Sequence, residues 1–303
     1  ADMGDINNDG YEEIFVTDML PSEETRLKTT TSFESHYFFK LKKQKGFYNQ
    51  FMQNTLQLNN QDGTYTDIAF YADVAASDWS WGALFFDANN DLKTDIFVCN
   101  GIYHDVTDQD FIDFFADEVN QMLLRSGKKE AYDKIIERIP SRPIPNHFFE
   151  NQGDLGFNEK AAAMGLGDPS FSNGAAYADL DGDGDLDLVV NNVNQPCFIY
   201  KNTTHERNEA KNYLKFRLEF ETPNRFAIGT KVEVFVASQV LSKRIITARG
   251  FQSSTDYTLT FGIDTPRAVD SVRITWPNRT YSVLLDPSLN TAINTVAYTL
   301  ASS

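Results

Sequence analysis

Asp179-Leu180-Asp181-Gly182-Asp183-Gly184-Asp185-Leu186-Asp187 runs directly into Leu188-Val189-Val190. Carboxylates stand at loop positions 1, 3, 5 and 9, and Gly184 at position 6 allows a tight turn. A hard cation such as Ca2+ takes roughly six to eight oxygen ligands, and this spacing points alternate side chains inward. Position 7 of such a loop gives its backbone carbonyl, so Asp185 is expected to ligate through the main chain. Two related stretches lie upstream, Asp5-Ile6-Asn7-Asn8-Asp9-Gly10-Tyr11-Glu12-Glu13 and Asp87-Ala88-Asn89-Asn90-Asp91-Leu92-Lys93-Thr94-Asp95.

An EF-hand would need a bidentate Glu at position 12 and a helix on each side. Position 12 is Val16, Val98 and Val190 here, and the residues around it (Ile14-Phe15-Val16, Ile96-Phe97-Val98, Leu188-Val189-Val190) are apolar and mostly β-branched or aromatic. Such runs form strands. Each loop is therefore expected to join two strands of a β-repeat.

A shift of 92 residues lays 54–100 on 146–192 without a gap. Leu56 meets Phe148, Asn59 meets Asn151, Trp79-Ser80-Trp81-Gly82 meets Phe171-Ser172-Asn173-Gly174, and Asp87 meets Asp179. From Gly101 to about Pro145 the strand pattern stops. Thr107 and Asp110 resemble a capping box, and Phe111, Phe114, Phe115, Val119, Met122 and Leu123 follow at helical spacing. Ser126-Gly127 breaks that helix, and 128–138 reads as a second one, halted by prolines. Without this hairpin (102–145) the repeat falls to about 50 residues, the range of a propeller blade. A polar insertion over about 20–50 explains the shift of 82 between the first two loops. Trp79 and Trp81 are expected to pack between blades rather than to form an open sugar platform.

The net charge of −16 and pI near 4.6 argue against a nucleic-acid or anionic-membrane partner. Lys40-Leu41-Lys42-Lys43-Gln44-Lys45 is the densest basic run and reads as a solvated helix face. No stretch is apolar enough for a transmembrane helix. Cys99 and Cys197 are expected as two separate buried thiols, with a single disulfide left open. Ala1 aligns with Ala83 inside a strand, which reads as a chain opening in mid-repeat. Open blade edges would favour self-association.

Thr203–Asn212 is a charged linker after the blades of 1–202. In 213–303, Tyr213–Leu218, Lys231–Val236 and Ser271–Trp276 alternate with period two between turn signals. That pattern predicts a small antiparallel sandwich or barrel-like domain.

The Asp-rich loops joined to Trp79-Ser80-Trp81-Gly82 resemble FG-GAP (VCBS) repeats, which build calcium-bearing β-propellers. Asn224-Arg225-Phe226-Ala227-Ile228-Gly229, Gly250-Phe251-Gln252-Ser253-Ser254, Phe261-Gly262 and Trp276-Pro277 resemble the ASPIC/UnbV domain that commonly follows such repeats. The insertions resemble those of large exported versions in Bacteroidetes. The resemblance implies an all-β chain with helical insertions, a partial propeller and a small β domain. It implies up to three Ca2+ sites: Asp5, Asn7, Asp9, Tyr11 (carbonyl) and Glu13; Asp87, Asn89, Asp91, Lys93 (carbonyl) and Asp95; and Asp179, Asp181, Asp183, Asp185 (carbonyl) and Asp187. The second loop departs from the pattern with Leu92 at the glycine position and Lys93 beside it, so affinity is expected to rank third loop, first, second.

The leading functional expectation is an exported, non-enzymatic scaffold that binds a protein or glycan while Ca2+ stiffens its loops. A glycan-active hydrolase or lyase competes with it. The carboxylates, however, lie nearly all at metal-loop spacing. His36, His104, His147 and His205 form no HExxH or close metal pair, and no GxSxG elbow is present.

Overall fold

The computed structural model describes residues 1–30, 35–115, 136–137, 139–207, 212–237, 239–263, 269–291 and 293–299. The apolar runs that flank each Asp-rich turn form antiparallel strands, and the turn is the hairpin between them. β1 (Asp2–Gly4) and β2 (Glu13–Val16) enclose the first turn and continue into β3 (Thr55–Asn59) and β4 (Tyr65–Asp67) as one sheet. β5 (Ser80–Phe86), β6 (Asp95–Asn100), β7 (His147–Gly153) and β8 (Gly156–Glu159) repeat the pattern, as do β9 (Ser172–Ala178), β10 (Asp187–Asn192) and β11 (Phe198–Tyr200). β5 and β9 start 92 residues apart, as do β6 and β10 (172 − 80 and 187 − 95), so the register read from the sequence is the register of the blades.

The blades stack through their faces. β6 is buried along its whole length, and its side chains alternate between two cores. Ile96 and Val98 join Phe15, Leu56 and Phe149 on one side, while Phe97 and Cys99 join Phe86, Phe148 and Val190 on the other. A strand apolar on both faces suits a middle blade.

The C-terminal part adds β12 (Asn212–Glu219), β13 (Lys231–Val236), β14 (Gln239–Arg244), β15 (Leu259–Ile263), β16 (Ser271–Thr275), β17 (Tyr281–Leu284) and β18 (Asn294–Ala297). They form two sheets, β15-β12-β18 and β14-β13-β16-β17, over a shared core that includes Phe216, Val234, Phe261 and Trp276. Among the described residues the architecture is all-β with short helices: five small sheets, of which three are propeller-like blades. One pairing departs from the antiparallel expectation, because β18 runs parallel to β12. The chain returns through a connection rather than a hairpin, which a parallel neighbour requires.

The insertion after β2 carries helices Glu24–Thr30 and His36–Gln44. The second has no buried residue, so its lysines are solvated as expected. The first is anchored by Arg26, which meets Asp78 at 3.0 Å through both Nε and Nη2, and Asp105 through Nη1 at 2.6 Å. A helix begins at 109 and is described to 115. Its cap is Asp108, which accepts from the Phe111 N–H at 2.9 Å; Thr107, the expected cap, turns back to Asp105. Most of the second helix expected over 128–138 lies outside the described residues. Both cysteines are free: Cys99 is buried, but Cys197 is exposed, against the expectation of two buried thiols.

Arg26 pairs with two carboxylates that are almost fully buried with it. Removing one member of a buried charge network leaves the others uncompensated, at a cost of about 3–5 kcal/mol. Arg26→Met should therefore lower stability by about 3 kcal/mol or more in urea denaturation, whereas Lys28→Met on the exposed face should change it by less than about 0.5 kcal/mol.

Candidate metal centre

The three loops share one hydrogen-bond scheme. The position-1 carboxylate (Asp5, Asp87, Asp179) accepts from the position-6 N–H at 2.8, 3.0 and 2.8 Å. The position-9 carboxylate (Glu13, Asp95, Asp187) accepts from the position-2 N–H at 2.9, 3.1 and 2.9 Å. Position 5 (Asp9, Asp91, Asp183) accepts from the position-7 N–H at 2.8, 2.9 and 2.9 Å. The side chains thus fold the turn around their own oxygens. Positions 4 and 6 are left-handed throughout: Asn8 and Gly10, Asn90 and Leu92, Gly182 and Gly184. Leu92 holds φ = +75°, a conformation that disfavours a branched side chain. It is kept there because its side chain is buried in the core of the C-terminal domain.

Among the described residues, Asp179, Asp181 and Asp187 present oxygens that all lie within 4.8 Å of one another, a group able to hold a metal ion. Beside them, Asp183 Oδ2 is buried without a hydrogen-bond partner. A buried carboxylate oxygen left unpaired is costly, and a hard cation is the partner that oxygen-only donors suit. The Asp185 side chain is turned away, accepting from Asn90 Nδ2 at 2.6 Å and from the His205 N–H, which leaves its carbonyl for the loop. When bound, a divalent cation would neutralise carboxylates that burial and neighbouring acids make hard to ionise. Burial, with Asp9 nearby, pushes Asp5 up to about 6, and burial pushes Glu13 up to about 7 and Asp87 up to about 6. Asp95 is raised well above the usual range by burial and by Asp87. Asp181 is instead held low by Lys201, which lies 2.9 Å from it. Lys93 Nζ lies 3.4 Å from Asp91 in the second loop, the nearby charge expected there.

The loops are also chained to one another. The Asn151 N–H donates to Asp95 Oδ1 at 2.9 Å, and its Nδ2 donates to the Ile6 carbonyl of the preceding loop, also at 2.9 Å. Asn202 repeats this one blade later, with its N–H on Asp187 Oδ1 at 2.8 Å and its Nδ2 on the Ala88 carbonyl at 2.6 Å. In the first blade the Asn59 N–H lies 3.4 Å from Glu13 Oε1. The position-4 asparagines add a second link: Asn8 Nδ2 reaches the Leu92 carbonyl at 2.7 Å, and Asn90 reaches Asp185. The coincidence of Asn59 with Asn151 in the 92-residue alignment was the available signal for the first of these roles.

The C-terminal domain covers the acidic arc with basic side chains. Lys231 Nζ donates to the Gly10 carbonyl at 2.7 Å, and Arg244 meets Glu12 at 3.2 Å. Lys243 is placed so that its charge lowers the pKa of Asp87, and Lys215 pairs with Asp179. Arg249 closes the edge on Asp2 at 2.8 Å. Phe251 packs on Trp81, ring centroids 4.9 Å apart, where Gly82 and Gly174 leave room. A Cβ on Gly82 would stand 3.3 Å from Phe251 N, and one on Gly174 would stand 2.9 Å from Phe251 O. Trp81 also donates to the Gly101 carbonyl at 2.7 Å. Trp81 therefore packs against the second domain, with Trp79 beside it at 6.1 Å between ring centroids.

Residues 220–299 match the family model described as ASPIC and UnbV. The match lies within the C-terminal domain. With three blade sheets in front of it, the chain fits an FG-GAP propeller carrying an ASPIC/UnbV domain. It is 34% identical over 86 residues to cartilage acidic protein 1 of Homo sapiens, covering 28% of this chain and 13% of that protein. It is 42% identical over 57 residues to cartilage acidic protein 1 of Mus musculus, covering 18% and 9% respectively. The chain thus spans a small part of the length of these relatives.

Two measurements follow from the loop energetics. The folded pKa values of Asp5, Glu13 and Asp87 lie above their unfolded ones, so their contribution is fully present below about pH 4 and is lost as pH rises through about 6–7. In EDTA the melting midpoint should fall between pH 5 and pH 8, and the fall should shrink in Glu13→Gln. At Leu92, glycine would relieve about 1–2 kcal/mol of backbone strain but empty a buried leucine site worth about 3–5 kcal/mol. Leu92→Gly should therefore destabilise by about 2 kcal/mol in urea denaturation.

Proposed function

We propose that this chain is a calcium-stiffened binding scaffold, exported from the cell, whose propeller or ASPIC/UnbV surface binds a protein or glycan. A propeller joined to an ASPIC/UnbV domain suits a binding role, and no helix among the described residues is long and apolar enough to cross a membrane. The observation that carries the metal half of the proposal is the third loop, where three clustered carboxylates adjoin the unpaired Asp183 Oδ2. Ca2+ is the ion of choice because the donors are all oxygens and the turn is built from flexible carboxylates, whereas Mg2+ demands a tighter octahedron. The first and second loops, with Asn7 and Asn89 replacing a carboxylate, would bind more weakly. The ion is structural in this reading: it replaces repulsion within each loop by ligation and leaves the outer surfaces for a partner. Self-association through open blade edges belongs to the same proposal.

A native-state ligand raises the melting midpoint with its concentration. Thermal melts in excess EDTA, in millimolar Ca2+ and in millimolar Mg2+ should show a large rise with Ca2+ and little with Mg2+. The Asp181→Ala/Asp183→Ala double variant should lose most of the Ca2+ increment while keeping its EDTA midpoint within a few degrees. A midpoint indifferent to Ca2+ would end the proposal.

A further inference from the structure

A cleft of about 520 Å³ opens where the second domain overhangs the first acidic loop. This volume lies in the range of small-molecule sites, about 300–1,000 Å³, and junctions between domains are where such sites concentrate. One wall is the loop itself, with Asp9, Tyr11 and Glu12, beside Tyr65 of the edge strand β4; the other is the β13–β14–β16 sheet, with Lys231, Glu233, Phe235, Arg244 and Arg273.

Three properties of the cleft select its ligand. It holds three acids (Asp9, Glu12, Glu233) and three bases (Lys231, Arg244, Arg273), so its formal charges cancel. Each base is already engaged: Arg244 with Glu12 at 3.2 Å, Arg273 with Glu233 at 2.7 Å, and Lys231 with Glu233 at 3.3 Å. Among the described residues no lining cation is left free to hold an anionic ligand, and Glu12 and Glu233 are engaged rather than free to hold a cationic one. The planar groups are also fixed, since the Arg273 guanidinium lies 5.7 Å from the centroid of the Phe235 ring while it pairs with Glu233. Such preorganised donors and acceptors bond to adjacent hydroxyls with little ordering cost. Finally, two tyrosines line the cleft and remain open to solvent, Tyr11 at 46% and Tyr65 at 41% exposure. Exposed tyrosines offer an apolar face and a polar rim, the match for a ring that carries C–H groups on its face and hydroxyls at its edge.

We propose that this cleft binds a short neutral saccharide. Tyr11 and Tyr65 receive the faces of its rings, and the Glu12–Arg244 and Glu233–Arg273 pairs bond to its hydroxyls. The proposal rests on the binding-scaffold reading and locates the glycan surface that reading leaves open. Because Tyr11 and Glu12 belong to the first loop, the geometry of this wall follows the state of that loop.

The test is saturation-transfer NMR on the full chain in millimolar Ca2+, with cellobiose, maltose, lactose and chitobiose as neutral probes. A heparin tetrasaccharide and an oligolysine peptide serve as charged probes. At least one neutral disaccharide should receive saturation. Its affinity should fall about tenfold or more in Tyr65→Ala, recover in Tyr65→Phe, and stay unchanged in Tyr48→Ala, an exposed residue that does not line the cleft. Tyr65 is exposed, so the variant should keep the Ca2+-dependent melt of the parent, which separates a lost site from a lost fold. Saturation of none of the neutral sugars would overturn the proposal. So would neutral-sugar binding indifferent to Tyr65→Ala, or binding of a charged probe alone through Tyr65. Any of these results alongside an intact Ca2+ rise in the melt would leave the calcium-stiffened scaffold standing, whereas loss of that rise would remove the reading beneath both.

Discussion

Three acidic turns lie under basic side chains drawn from both sheets of the C-terminal domain, and that apposition organises the molecule. Lys231, Lys243 and Lys215 come from three different strands of the C-terminal domain, and each addresses a different turn. An acidic arc of this density repels itself unless positive charge is brought to it, and in this structure much of that charge comes from the neighbouring domain. The chain carries a net charge of −16, so these lysines and arginines are placed against a strong overall imbalance. The two domains are therefore one electrostatic unit, with Phe251 on Trp81 and Leu92 in the opposite core as its apolar fasteners.

Within the propeller part the asparagines matter as much as the aspartates. Asn151 and Asn202 each bond to the position-9 acid of their own blade and to a carbonyl of the blade before. The left-handed asparagines at position 4 reach forward in the same way. Each turn is thus held by its neighbours, and the blades do not behave as independent sheets. These links are hydrogen bonds from side-chain amides, buried at Asn90 and Asn151 and partly buried at Asn8 and Asn202.

The sequence made the blades legible because their information is local. Each loop and the strand after it are read within a short window, and a single shift of 92 residues places the strand pairs Ser80–Phe86/Ser172–Ala178 and Asp95–Asn100/Asp187–Asn192. The clustering of Asp179, Asp181 and Asp187 was equally local. The cover was not, since the partners of Glu12, Asp179 and Trp81 lie between 36 and 232 residues away along the chain. Leu92 shows the limit well. As a single position it reads as a poor replacement for glycine, and only the core of the second domain explains why a leucine is kept at φ = +75°. Thr107 illustrates a smaller failure: a capping motif one residue off, because Asp105 competed for the hydroxyl.

The sharing of Asp179 has a consequence for any cation at the third loop. Lys215 already pairs with this carboxylate, and Lys201 holds Asp181. A cation and these ammonium groups draw on the same lone pairs, so the affinity of the loop for metal and the strength with which β12 is held against it are coupled. Coupling of this kind is reciprocal: whatever ligation does to the lysine contact, the lysine contact does to ligation. In the first loop the lysine contact is to the Gly10 carbonyl instead, which leaves Asp5 and Glu13 to one another and to a cation. The carboxylate count favours the third loop for metal, and the lysine contacts oppose it there. The balance between these terms, rather than the number of aspartates alone, would set which loop a cation prefers.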